Sequence, residues 1–83
     1  MAQYCFENHK RKARARGIPF LLTFEEWWKI WAESGHWRDG GCERGQYCMA
    51  RYGDLGAYEV GNVRIILNEE NQREAHLGKA VDA

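Results

Sequence analysis

Apolar positions set the first element: Phe6, His9 or Lys10, and Ala13 fall at helical spacing and predict a helix from about Tyr4 to Arg16. It stops at Gly17, with Pro19 just beyond. A second helix announces itself through Thr23 and Glu26, a T-x-x-E capping box, with Leu22 and Trp27 placed for a hydrophobic staple. Phe24, Trp27, Trp28 and Trp31 then recur every three or four residues as one broad aromatic face, until Ser34-Gly35 ends the run. This stripe is most simply core. Gly35 to Gly45, rich in glycine and charge, reads as a loop, and a strand pattern follows at Gln46 to Tyr52. After a stretch punctuated by Gly53, Gly56 and Gly61, the β-branched run Val63 to Leu67 reads as a second strand, so the two make a hairpin with a long connection. Asn68 is placed to cap a last helix with Glu69 and Glu70 in its first turn and Gly78 at its end. The predicted order is α, α, β, β, α, an α+β fold.

Eighty-three residues hold one domain, 1–83, with a helical lead-in over about 4–34. A chain this short buries only about 60–65% of its unfolded surface, which excludes a large two-substrate active site. Four Trp, four Tyr and three Phe exclude disorder over most of it. Twelve basic residues cancel twelve acidic ones, so any electrostatic site must be local. No apolar run approaches the roughly 20 residues of a membrane span, and Met1 precedes polar and charged residues rather than a hydrophobic stretch. A cytoplasmic location without a membrane partner is the expectation.

Five of the twelve basic residues, Lys10, Arg11, Lys12, Arg14 and Arg16, fall within seven positions on the first helix. Such a cluster can contact phosphates with salt-sensitive, sequence-independent affinity, or serve only as a solvated face. His36, Cys42 and Cys48 are evenly spaced but lack the tight pairs that seat two ligands on one turn, and no C-x-x-C pair accompanies Cys5. Reduced, buried thiols are therefore favoured over a zinc site that could also draw on His9 or His76. No G-x-S-x-G, P-loop or H-E-x-x-H motif is present.

The second half is more specific. Gly53-Asp54-Leu55-Gly56-Ala57-Tyr58-Glu59-Val60-Gly61-Asn62-Val63-Arg64-Ile65-Ile66, followed by Glu70-Asn71-Gln72, resembles the ββα hairpin and helix of small phage-type HNH endonucleases. Arg14 to Phe20 and Leu22 to Trp27 look like the helical lead-in that often precedes this module. The resemblance runs from about Lys10 to His76, with its most specific piece at Gly56 to Arg64, and implies two N-terminal helices packed on a ββα module over about 46–78. Asn62 would brace the loop, as a side chain able to bond backbone groups across it also should on its own chemistry.

Aligned on Tyr58 and Asn62, the resemblance sets Ala50 at the position of the metal-binding Asp. It sets Arg51 at the general-base His (an Arg in some subgroups) and Asn71 at the final metal ligand. Ala50 cannot bind a cation and a lone amide is a poor ligand. Asp54, Glu59 and His76 are the nearby candidates to replace the missing groups. A hydrolytic site needs a metal for the leaving oxygen and a base for the water, so a divalent metal, Mg²⁺ or Mn²⁺, is implied only for an active enzyme. The reading is a phage or prophage HNH-like protein that engages nucleic acid, with DNA the favoured target. It carries an endonuclease fold whose cleavage is compromised. In it Lys10, Arg11, Lys12, Arg14 and Arg16 hold phosphates, while Arg51 and Arg64 project from the hairpin toward the backbone and the last helix approaches a groove. The alternative is an inhibitor of the anti-CRISPR type that binds a host defence protein through exposed aromatics such as Tyr47, Tyr52, Trp37 or Tyr58.

Overall fold

The computed structural model describes the backbone of residues 2–81 and the side chains of residues 2–75. It is an α+β fold: helices α1 (Ala2–Ala15) and α2 (Phe24–Ser34) precede an antiparallel hairpin of β1 (Tyr47–Arg51) and β2 (Val63–Leu67), and α3 (Asn68–Val81) follows directly. The bounds of α1 differ from the expected ones by a residue or two, the usual fraying of helix ends. Its C-terminus closes in a Schellman pattern: Ile18 N–H donates to Ala13 O at 2.9 Å and Gly17 N–H to Arg14 O at 3.0 Å. Gly17 takes φ +73°, the left-handed conformation that this closure requires.

At the start of α2, Thr23 Oγ1 accepts from Glu26 N–H while Glu26 Oε1 accepts from Thr23 N–H, the reciprocal box. One face of the helix is buried. Trp27 and Trp31 join Phe6, Ala13, Leu22, Met49 and Tyr58 in the core, and Trp28 packs at its margin. Trp37, in a short turn after α2, sets its ring edge-on to Trp27, Trp28 and Trp31, with centroids 5.1–5.7 Å away. Edge-to-face geometry suits the ring quadrupoles and adds to burial.

In the hairpin, Met49 pairs with Ile65 and Ala50 with Arg64. Met49, Ala50 and Arg51 are all buried, because α3 packs on β1 while the core of α1 and α2 reaches Met49. The connection between the strands is tied back to the helical half. Tyr58 N–H donates to Pro19 O at 2.9 Å and Leu21 N–H to Tyr58 O at 2.8 Å, a parallel bridge between Phe20 and Tyr58.

Two expectations for the last helix are corrected. Asn68 is its first residue and spends its side chain elsewhere: Nδ2 donates to Gly41 O at 2.8 Å and Glu43 O at 2.7 Å, tying down the 41–45 loop. The amide therefore serves the loop and not the helix end. Gly78 does not stop α3, which continues to Val81. An interior glycine weakens a helix by about 1 kcal/mol without terminating it.

Candidate nucleic-acid interface

Two groups of polar side chains come together in this fold. The first braces the connection between the strands. Asn62 Nδ2 donates to Leu55 O at 2.9 Å and to Ala57 O at 2.8 Å, so one amide crosses the loop. Gly56 makes room for it: a Cβ there would lie 2.9 Å from Asn62 Nδ2, and its φ of +80° already disfavours any other residue. Arg51 Nη1 donates to Gly56 O at 2.7 Å and Nη2 to Asp54 at 3.0 Å, with the guanidinium 5.4 Å from the Tyr58 ring centroid. Asp54 itself has φ +58°, a conformation the ion pair helps to hold.

Of the two arginines expected to project toward a nucleic-acid backbone, Arg51 turns inward and Arg64 is paired yet partly exposed. Arg51 is only 8% exposed and its fork is occupied within the loop. Arg64 pairs with Glu74 of α3 and lies over the Tyr52 ring, 4.8 Å from its centroid. Glu74, which also accepts from Gly53 N–H, carries no signal in the sequence that sets it apart from its neighbours. Paired cations of this kind are costly to leave unpartnered, so the fold uses them internally.

The proposed replacements for the metal ligands do not converge. Asp54 belongs to the Arg51 pair, Glu59 is exposed, and the His76 side chain lies outside the described residues. Asn71 is half-buried on α3, in a groove whose lining includes neither Arg51 nor Asn62. Among the described residues, no three His, Cys, Asp or Glu side chains are placed to hold a metal ion, and all three cysteines are free. Cys42 is exposed rather than buried. Burial, and then proximity to Cys42, push the Cys48 thiol upward, so it stays protonated.

The second group lies along α1. Arg11, Lys12, Arg14 and Arg16 are exposed and Lys10 is half-buried, with its ammonium 6.0 Å from the Phe6 ring centroid. Arg11 also donates to Asn8 on the preceding turn. None of the five forms an ion pair with a described residue. Beneath this helix runs a groove in two adjoining parts of about 430 and 350 Å³, which share His9, Lys12, Gly41, Cys42, Cys48 and Met49. Arg16 and Lys12 stand on its α1 side, and Asn68, Asn71 and Gln72 face them from α3.

His9 lines both parts of the groove; the sequence singles it out only as a helical-face position and a possible zinc ligand. Its Nδ1 accepts from Trp27 Nε1–H at 3.1 Å, and its ring packs edge-on against Phe20 and Tyr58. Burial, aided by the Lys12 charge, lowers its pKa to about 4, so the imidazole is neutral near pH 7. A neutral ring accepting at Nδ1 carries its proton on Nε2.

No family model, curated protein or solved structure matches the chain in the comparisons made. Its functional reading therefore rests on its own residues.

Proposed function

We propose that the chain is a phage-type HNH-like protein that binds nucleic acid through the basic face of α1 and does not cleave it. The observation that carries this is the charge on α1. Four cations on α1 and Arg16 just past its end have no carboxylate partner among the described residues, in a chain whose net charge is zero. Unpaired cations at this density attract phosphates and release their counterions. The motif from Gly56 to Arg64 and the order strand, strand, helix support the HNH-like assignment. Loss of cleavage follows from the residues themselves. Ala50 is buried opposite Arg64, Arg51 is committed to Asp54 and Gly56, and Asn71 offers a neutral amide, so this set does not fit a divalent metal or a general base.

The test is duplex DNA binding as a function of salt. Wild-type protein should bind unrelated sequences alike, and replacing Arg11, Lys12 and Arg14 with Gln should flatten the log–log salt slope by roughly one unit per lost contact. Absence of binding at about 50 mM salt, where screening is weak, would sink the reading.

A second reading draws on the loop between the strands, where Leu55 and Val60 are 73% and 63% exposed, with Leu21 exposed at 61%. Such side chains suit an anti-CRISPR-type inhibitor that docks on a host defence protein. Of the aromatic anchors expected for it, only Tyr52 is exposed. Tyr58 is buried, Trp37 packs into the Trp cluster, and Tyr47 stacks on His36 at 3.7 Å.

A further inference from the structure

We infer that the groove beneath α1 is a nucleotide site, taking an unstacked nucleobase between the Trp cluster and β1 with its phosphate on Lys12 and Arg16. This rests on the reading above that α1 meets nucleic-acid phosphates, and extends it to a cavity that phosphate contact alone does not need.

Size, lining and charge all point the same way. A space of about 430 Å³ lies within the range of small-ligand pockets, which are walled mainly by apolar and aromatic groups with a few polar ones. Trp27, Trp31, Trp37 and Tyr47 contribute to its wall, and Met49 adds a polarisable thioether. An apolar wall of this kind buries the surface of a base without reading its hydrogen-bonding edge, so binding here is tolerant of sequence. Polar recognition is available at two points. Asn8 lines the same space, and His9 Nε2–H has no oxygen or nitrogen acceptor among the described residues. The neutral state of His9 near pH 7 keeps that nitrogen a donor without adding a buried charge.

The charge at the groove is one-sided. Among the described residues no Asp or Glu lines either part of the groove, whereas Lys12 lines both and Arg16 one. An anion at that rim meets cations and amides without a carboxylate to repel it. An aromatic ligand with a negatively charged end fits this distribution, and a nucleotide within a single strand is that ligand.

Three of the four Trp side chains line the groove, so intrinsic fluorescence reports its occupancy. Wild-type protein would be titrated with deoxyadenosine 5′-monophosphate, deoxyadenosine and inorganic phosphate. In parallel, a labelled 12-nucleotide strand and its duplex would be followed by anisotropy. The monophosphate should quench saturably, deoxyadenosine should bind roughly tenfold more weakly, and phosphate should leave the spectrum unchanged. Lys12→Gln should weaken the monophosphate by about tenfold. Cys42→Phe, which fills the groove from an exposed position, should remove the quenching while duplex binding and the thermal midpoint persist. A monophosphate that does not quench at about 10 mM, with duplex binding intact, overturns the inference and leaves the nucleic-acid reading standing. So does a Cys42→Phe protein that quenches like wild type. Quenching by the monophosphate without binding to strand or duplex supports the site and removes that reading, whereas failure of all ligands removes both.

Discussion

Acidifying the solution from pH 7.5 to 5.5 should destabilise this protein through one side chain, His9. Its Nδ1 is occupied as the acceptor for Trp27 Nε1–H, and Phe20 and Tyr58 pack edge-on against the ring, leaving it half-buried in the groove. A proton added at Nδ1 would break that bond, leave the indole N–H unpaired and bury a charge near Lys12. Hence the folded pKa is about 4 against 6.5 for a free imidazole. Between those values the unfolded chain binds a proton that the folded chain refuses, so unfolding becomes more favourable as pH falls. The stability from His9 is complete above pH 6.5 and drains away toward pH 4. Over the window from 7.5 to 5.5 the loss is about 1 kcal/mol, and stopping there avoids most carboxylate titration. Urea unfolding followed by Trp fluorescence at several pH values would measure it, with His9→Gln as the control. Glutamine offers an acceptor oxygen to Trp27 without titrating. The reasoning fails if wild type and variant lose stability in parallel across this window.

The other expected outcomes concern the core, the loop and the chemistry. Trp27→Ala should cost about 3–5 kcal/mol, enough to unfold a small domain, and an unchanged denaturation midpoint would contradict its place in the core. Asn62→Ala should cost about 1–3 kcal/mol by leaving Leu55 and Ala57 carbonyls short of a donor. Faster amide exchange around the loop would register it, and unchanged exchange would argue against the bracing role. Supercoiled plasmid incubated with Mg²⁺ or Mn²⁺ should stay intact. Nicking that Asp54→Ala abolishes would show that Asp54 leaves its pair with Arg51 to serve a metal.

What could be read from the sequence was what is decided locally. The start of α2 is written in Thr23 and Glu26, the end of α1 in Gly17, and β2 in a β-branched run, because each depends on neighbours within a few positions. Arg51 and Arg64 could not be oriented in this way. Whether a guanidinium faces solvent depends on acceptors delivered by other segments, here Gly56 O and Glu74, and nothing in the spacing of the arginines encodes those distances. Asn68 misled for the same reason. Its chemistry suits a helix cap, but two loop carbonyls brought within 2.8 Å by the fold compete for the amide. The groove was hidden too, since its residues come from α1, α2, the turn at Trp37, the 40–42 loop, β1, the Tyr58 loop and α3.

The bridge between Phe20 and Tyr58 bears on modularity. Tyr58 donates its backbone N–H to Pro19 O and accepts at its own carbonyl from Leu21 N–H, while its ring lies against Phe20 and His9. A hairpin and helix excised at residue 46 and grafted into another host would leave both backbone groups of Tyr58 without partners and expose an aromatic ring that is now buried. Residues 46–81 therefore do not form a cassette that recombination can move alone. Any ancestor or engineered chimera that keeps this loop must carry the Pro19 to Leu21 segment with it, or supply another strand to take its place.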